Sequence, residues 1–184
     1  MMKKILLTIV AFLSVPLLWA QTNFRSLSFE EALAAAKQEK KMVFIDFYTD
    51  WCGPCKMMAR QTFPLKEVGD YMNNTFVCLK LNAEKEGKEL AARFEVKAYP
   101  TFTILDADGK KVNEVRGFMD GKAFLEKMKY TMNPDMSPER MAQRYAAGER
   151  TPELVNNYAL HKMEQEKEKE GFEIVDSYFQ SLTD

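Results

Sequence analysis

The stretch 51–56 reads WCGPCK and holds two cysteines, Cys52 and Cys55, separated by two residues. An apolar run at 42–48 precedes it and is typical of a buried strand, while a helical pattern runs from 56 to 73. The unpaired N–H groups and the positive dipole end of a helix start stabilise a thiolate, so Cys52 is placed to attack a disulfide. Cys55, one turn further on, is placed to resolve the mixed disulfide.

Two other uses of this cysteine pair are weaker. A structural zinc site needs about four ligands, and the remaining candidates, Cys78 and His161, lie far apart in unlike contexts. A purely structural disulfide across two intervening residues closes a very short loop and restrains little chain entropy. The spacing therefore favours a redox-active pair without a metal or another cofactor.

Asp46 is the one carboxylate inside the apolar run at 42–48. Burial disfavours the charged form of a carboxyl group, so the pKa of Asp46 is expected to be raised. A carboxyl group of this kind near the dithiol could take the proton from Cys55 as its sulfur attacks. The alternative is that the Asp46 carboxylate only pairs with Lys80. The position of Asp46 just before the cysteines favours proton transfer instead.

Strand and helix patterns alternate along residues 24–132, which predicts an α/β fold with a mixed central sheet flanked by helices on both faces. A run that is apolar on both faces, such as 42–48, indicates a central strand. The predicted strands are a short edge strand at 24–27 and longer strands at 42–48, 76–81, 101–105 and 110–116. The predicted helices are 28–40, which starts at a capping box of Ser28 and Glu31, 56–73 with a kink or restart at Pro64, 84–94, and a last helix capped by Asp120.

The motif WCGPCK is the active-site motif of thioredoxins as it stands, and the chain resembles that family over about residues 24–132. The resemblance implies the thioredoxin fold and a thiol–disulfide oxidoreductase that acts on disulfide-containing proteins. The segments 62–68 and 74–77 resemble the exported branch of the family more than cytosolic thioredoxin.

The resemblance also implies roles for residues outside the motif. Asp46 stands six residues before Cys52, where thioredoxins carry a buried carboxylate that assists proton transfer, and Lys80 is similar to the lysine that approaches it. Pro100 resembles the cis-proline that faces the disulfide, and the bulky Tyr99 beside it is expected to influence which substrates fit. The residues expected to contact and orient the substrate are Trp51, Gly53, Pro54, Tyr99, Pro100 and Thr101.

Residues 1–20 have the pattern of a secretory signal peptide cut after Ala20, with two lysines followed by an apolar run too short for a confident membrane span. An uncleaved anchor is the alternative. Removing these residues takes two lysines and no acids from the 26 basic and 27 acidic side chains, which leaves 24 against 27 and a net charge of −3. The sequence thus predicts a periplasmic or otherwise exported protein of 164 residues, with no stable membrane insertion after cleavage and no nucleic-acid partner.

The third cysteine, Cys78, lies in the predicted strand at 76–81 and is expected to be a buried, small hydrophobic residue. A resolving or regulatory role is the alternative.

The composition changes after Met132, where capping and helix-start signals predict an all-α extension at 133–184. The predicted helices run from Pro138 to about Ala147 and from Pro152 to about residue 169. A third amphipathic helix carries Phe172, Val175, Tyr178, Phe179 and Leu182 on its apolar face. The extension resembles the opening of a tetratricopeptide-like array but has too few repeats to stand alone. Packing against the domain is the first interpretation, and partner binding is the second.

The expected direction of electron flow follows from the resemblance. Oxidants and isomerases of the family usually carry a histidine just before the second cysteine, whereas this chain has Pro54 there, which favours a reductase. A reductase in an oxidising compartment must be recharged, which implies an electron donor in the inner membrane. A net oxidase or isomerase, or a client-binding module whose helical tail recruits a partner, are the alternatives.

Overall fold

The structure is a computed structural model that describes residues 21–165 and 167–182. The expected signal peptide at 1–20 lies outside the described residues. The strands are β1 Met42–Tyr48, β2 Phe76–Asn82, β3 Thr101–Leu105 and β4 Lys111–Arg116. The helices around them are α1 Phe29–Glu39, α2 Gly53–Met57, α3 Lys66–Thr75, α4 Lys88–Arg93 and α5 Gly121–Thr131. The extension holds a 3₁₀ turn at Pro134–Met136, then α6 Pro138–Ala146, α7 Pro152–Glu164 and α8 Glu168–Ser181.

The four strands form one mixed sheet in the order β2-β1-β3-β4. β1 pairs parallel with β2 and antiparallel with β3, and β4 pairs antiparallel with β3. This register places Asp46 between Lys80 on one neighbouring strand and Phe102 on the other. The mixed sheet and the central position of the run at 42–48 confirm the prediction from the sequence.

Side chains alternate across β1, and each face of the sheet packs against its own helices. Phe44 points into a core that contains Met72 of α3 and Phe124 of α5. Its neighbour Ile45 points to the opposite face, into a core that contains Ala32 of α1 and residues of α4. Helices therefore cover both faces, which explains why β1 is apolar throughout except at Asp46.

The helix predicted over 56–73 is broken rather than continuous. A π-helical segment, Met58–Thr62, follows α2, and Phe63 N–H donates a hydrogen bond to the Met58 carbonyl at 3.0 Å. The Thr62 hydroxyl donates to the Met119 carbonyl at 2.6 Å, and the helix restarts at Lys66, after Pro64. The restart confirms the prediction at Pro64, whereas the π segment has no counterpart in the sequence prediction.

Three other predicted boundaries were wrong in part. The expected edge strand at 24–27 is only a single bridge from Phe24 to Cys78. The helix predicted at 84–94 begins at Lys88, because Gly87 N–H donates to the Asn82 carbonyl at 2.8 Å and keeps residues 82–87 in a turn. The helix expected to run to about 169 ends at Glu164.

The extension packs on α5 and on itself. Tyr130 of α5 contacts a small core of Met136, Met141 and Leu154. The apolar face predicted for the third helix was wrong in part: Gly171 and Ile174 are the buried residues of α8, whereas Phe172 and Phe179 are each 60% exposed. Close packing of α8 on α7 leaves no space for a side chain at position 171, where an added Cβ would lie 2.9 Å from the Ala159 carbonyl oxygen.

No helix among the described residues is long and apolar enough to cross a membrane.

Candidate active site

Cys52 and Cys55 form a disulfide at the N-terminal end of α2. Cys52 is the N-cap of this helix, and its sulfur accepts a hydrogen bond from the Cys55 N–H at 3.1 Å. A free N–H group of the first turn thus points at the sulfur that the sequence predicts to be the nucleophile. In the reduced protein the same N–H would stabilise the Cys52 thiolate over the thiol.

The two cysteines are nearly buried, at 2% and 3% exposure, but the residues around them are accessible. Gly53 and Pro54 are exposed, and an added Cβ on Gly53 would meet no atom within 4 Å. A substrate backbone could therefore approach the disulfide on this side.

Trp51 is 66% exposed, but its indole ring is held in place. The indole Nε1–H donates to Glu84 Oε1 at 2.9 Å, and the ring meets Tyr99 edge to face with centroids 5.9 Å apart. Trp51 and Tyr99, which were predicted from different segments, therefore lie side by side next to the disulfide. Glu84 was missed in the sequence analysis, which placed it at the start of a helix.

Asp50 is fixed by the same turn that carries Glu84. Its carboxylate accepts a hydrogen bond from Asn82 Nδ2 at 3.0 Å and pairs with Lys85 Nζ at 2.7 Å. The Asn82 side chain also accepts the Glu84 N–H at 2.9 Å. Because the turn at 82–87 follows β2, the sheet itself positions the two residues before Cys52.

The Tyr99–Pro100 peptide bond is cis, as the resemblance implies. The Pro100 carbonyl accepts the Gly117 N–H at 2.9 Å, and the Thr101 hydroxyl donates to the Ala98 carbonyl at 2.8 Å. Gly117 has φ +85°, a left-handed conformation that favours glycine. The first bond ties the proline loop to the end of β4, and the second closes the loop on itself.

Asp46 lies in β1 with 1% exposure, and neither of its carboxylate oxygens has a hydrogen-bond partner among the described residues. The nearest cation is Lys80, whose Nζ lies 3.6 Å from Asp46 Oδ2. Burial raises the pKa of Asp46 to about 6, and the attraction of Lys80 opposes this only in part. The Lys80 side chain is 27% exposed, so solvent weakens its attraction. Near neutral pH Asp46 can therefore accept or release a proton.

A cavity of about 140 Å³ lies between Cys55 and Lys80, the partner of Asp46. Cys55, Ala59 and Lys80 line it, together with residues 48–50. Lys80 thus touches both the cavity and Asp46. This arrangement offers a route for a proton between the cysteine and the carboxylate.

Cys78 lies in β2 with 1% exposure, as predicted. Burial raises the pKa of its thiol to about 12, so it stays protonated at neutral pH. The structure does not bring Cys78 and His161 together as metal ligands: no group of three His, Cys, Asp or Glu side chains converges within 21–165 and 167–182.

Comparison with known proteins agrees with this geometry. A family model described as "Thioredoxin-like domain" matches residues 29–132. The chain is 44% identical over 77 residues to thioredoxin F, chloroplastic, of Oryza sativa subsp. japonica, which covers 42% of this chain and 38% of that protein. It is 36% identical over 101 residues to the thiol:disulfide interchange protein DsbD of Pseudoalteromonas atlantica, which covers 52% of this chain and 17% of that protein.

Among solved structures, a candidate disulphide-isomerase from Bacteroides thetaiotaomicron is 41% identical, with a TM-score of 0.57. The match covers 62% of this chain and 95% of that one. The chain thus spans well under half of the two full-length relatives but nearly all of this structure. The chain belongs to the thioredoxin-like domain family, and its thioredoxin-like domain, with the Cys52–Cys55 pair, is a thiol–disulfide oxidoreductase of the thioredoxin type.

Proposed function

We propose that this protein reduces disulfides in exported protein substrates by dithiol–disulfide exchange. The observation that carries the proposal is the Cys52–Cys55 disulfide at a helix N-terminus with the buried Asp46 carboxyl behind it. The reducing direction is supported by Pro54, because no histidine precedes Cys55 to stabilise a strongly oxidising dithiol.

The reaction begins with the reduced pair. The Cys52 thiolate attacks one sulfur of the substrate disulfide, and the other substrate sulfur leaves as a thiolate that takes a proton from solvent. Asp46, which with a pKa of about 6 is ionised in most molecules at neutral pH, accepts the Cys55 proton by way of the cavity between Cys55 and Lys80. The Cys55 thiolate then attacks the Cys52 sulfur and expels the second substrate sulfur as a thiolate, which takes a proton from solvent. Two electrons pass to the substrate, and the Cys52–Cys55 disulfide forms.

The exported location rests on the signal-peptide pattern of residues 1–20. In an oxidising compartment the disulfide must be reduced again, which requires an electron donor on the inner membrane. The match to a thiol:disulfide interchange protein supports exchange with a second dithiol protein, and the donor itself follows from this redox requirement.

A second function is a disulfide isomerase, which the similarity to the Bacteroides thetaiotaomicron structure favours. The two functions differ in whether the enzyme keeps its substrate in the mixed disulfide long enough to rearrange it. A third function is the binding of a client protein by the extension, with the dithiol in a secondary role. Such binding would not require either cysteine of the pair.

Single-cysteine variants test the proposal. With dithiothreitol as donor, Cys52→Ser should abolish the catalysed reduction of insulin. Reduced Cys55→Ser, mixed with insulin after the dithiothreitol has been removed, should accumulate a mixed disulfide that mass spectrometry detects. Cys78→Ala is the control and should leave turnover nearly intact, because the Cys78 thiol is buried and protonated. Insulin reduction retained by Cys52→Ser would overturn the mechanism. If the wild-type protein refolds scrambled ribonuclease faster than it reduces insulin, the isomerase function is favoured.

A further inference from the structure

An open groove lies where the extension meets the thioredoxin-like domain. Its volume is about 360 Å³, within the range of sites that hold small ligands or a few side chains. The residues along it, here called the junction groove, are Val112, Asn113, Glu114, Lys127, Tyr130, Thr131, Met136, Pro138, Met141, Asn157, Leu160 and His161. The groove thus combines β4 and α5 of the domain with α6 and α7 of the extension.

The apolar part of the junction groove is incompletely covered. Val112 of β4 is 51% exposed and Leu160 of α7 is 49% exposed. Met136 and Met141 lie between the two walls, and methionine side chains adapt to partners of different shape. This lining suits an apolar side chain of an incoming segment, without strict selection of its shape.

The charged residues of the junction groove determine which sign of charge on a partner is favoured. Glu114 is already engaged, since Lys111 Nζ lies 2.8 Å and Arg116 Nη2 2.5 Å from its carboxylate. Lys127 has no carboxylate within 4 Å among the described side chains, and its Nζ lies 5.7 Å from the centre of the Tyr130 ring. Lys127 is therefore the groove's uncompensated charge, and it favours a carboxylate on the partner.

The backbone at this edge of the sheet argues against the addition of a partner strand. β4 is an edge strand, but the Glu114 N–H is capped by Asn113 Oδ1 at 2.8 Å. The pairing of β3 with β4 is also irregular near Leu105. Local caps and bulges are common means of protecting an edge strand from pairing. A partner is therefore bound through its side chains.

A second cavity connects the junction groove with the active-site end of the domain. It has a volume of about 460 Å³, shares Glu114 and Lys127 with the groove, and extends to Arg116 and Met119. Arg116 pairs with Thr101, which directly follows the cis-proline. A polypeptide whose disulfide lies at Cys52 could thus continue along β4 to the extension.

We propose that the junction groove binds an extended acidic segment of the protein substrate, with an apolar side chain between Val112 and Leu160 and a carboxylate at Lys127. The proposal rests on the proposed function, because the bound segment belongs to the protein whose disulfide is reduced. In this arrangement the extension adds substrate selectivity to an exchange reaction that the domain performs by itself.

The test uses the full chain and two fluorescein-labelled, cysteine-free peptides of twelve residues. One carries a phenylalanine flanked by aspartates in a glycine–serine background, and the other carries lysine in place of each aspartate. Fluorescence anisotropy should show binding of the acidic peptide, weaker at high salt, and little binding of the basic one. Lys127→Glu should weaken binding of the acidic peptide about fivefold or more, because an attraction becomes a repulsion.

Matched controls separate the groove from the rest of the surface. Lys122→Glu changes the same charge on the same helix, and Phe172→Gln removes an exposed ring of the extension outside the groove. Both variants should bind the acidic peptide as tightly as wild type does, whereas Leu160→Gln should weaken the binding of this peptide severalfold. Equal binding of the two peptides, no binding of either, or equal effects of Lys127→Glu and Lys122→Glu would overturn the proposal.

A small disulfide separates this proposal from the proposed function. The aromatic disulfide DTNB is too small to need the groove, so Lys127→Glu should reduce it at the wild-type rate. Wild-type protein that reduces DTNB but binds neither peptide refutes the groove alone. Wild-type protein that cannot reduce DTNB refutes the proposed function.

Discussion

The Asp46 carboxyl group couples the stability of the protein to its chemistry. Its burial at 1% exposure, without a hydrogen-bond partner among the described residues, favours the protonated form in the folded protein. Its pKa of about 6 exceeds the ordinary aspartate value of about 3.9 that it regains on unfolding. The same group that can accept the Cys55 proton thus costs folding free energy whenever it is ionised.

Asp46→Asn should stabilise the protein at pH 8 and remove part of its pH dependence. Between pH about 4 and 6 the folded chain retains a proton that the unfolded chain has lost, so raising the pH favours unfolding over this window. The rise in the pKa of Asp46 to about 6 corresponds to a loss of about 3 kcal/mol in the free energy of unfolding at pH 8. Urea denaturation of both proteins from pH 4 to 8 measures the difference, and a variant that is less stable than wild type at pH 8 would contradict it.

Asp46→Asn should also slow the resolving step more than the attacking step. The Cys55 N–H at the start of α2 donates to the Cys52 sulfur, whereas the proposed mechanism assigns the deprotonation of Cys55 to Asp46. Wild-type resolution should accelerate as the pH rises through about 6, and the variant should lack this rise. Stopped-flow exchange with a fluorescent disulfide peptide resolves the two phases, and equal slowing of both would rule out this role.

At the scale of elements, the turn at 82–87 is the main structural support of the motif. It holds Trp51 through Glu84, and Asp50 through Asn82 and Lys85. Because this turn extends β2, the position of the indole ring depends on the sheet rather than on the short helix α2. The turn therefore holds Asp50 and Trp51, of which Trp51 is predicted to contact the substrate, in place beside the cysteines.

Glu84→Ala should loosen the Trp51 ring and raise the KM for protein substrates severalfold, with kcat little changed. The chain has two tryptophans, Trp19 and Trp51, so a version that begins at Gln21 reports on Trp51 alone. Its fluorescence anisotropy should fall in the variant. Glu89→Ala, an exposed position on α4, is the control and should change neither quantity. Unchanged anisotropy and KM in Glu84→Ala would show that the hydrogen bond does not position the ring.

The elements that could be predicted from the sequence are those with a strong local pattern. The apolar run of β1 and the capping box of Ser28 and Glu31 marked their elements directly. The π segment could not be predicted in this way, since one of its contacts joins Thr62 to Met119, 57 residues away. The apolar face of α8 was assigned wrongly because its helical pattern also fits Phe172 and Phe179, and only packing on α7 decides between the faces.

The same distinction holds for the site. The chemistry of Cys52, Cys55 and Asp46 follows from their types and from a strand that precedes a helix. Glu84 has no such signal, because its role comes from the proximity of two loops 33 residues apart. The edge-to-face contact between Trp51 and Tyr99 likewise exists only in the folded protein.

At the scale of the whole molecule, the domain and the extension divide the work. The thioredoxin-like domain contains every residue of the proposed exchange reaction. The extension packs on α5 through Tyr130 and adds one wall of the junction groove. In the proposed arrangement the extension supplies one wall of the groove and no residue of the exchange reaction, so variants of the extension should change substrate preference without changing the dithiol itself.

The reduction potential of the Cys52–Cys55 pair tests the central claim most directly. The protein is equilibrated against a series of glutathione ratios, and the fraction of free thiol is measured after alkylation by mass spectrometry. A reductase with Gly53 and Pro54 between its cysteines should give a potential near that of thioredoxin, about −270 mV. A value of about −120 to −180 mV, the range of disulfide donors and isomerases, would contradict the proposed direction of electron flow.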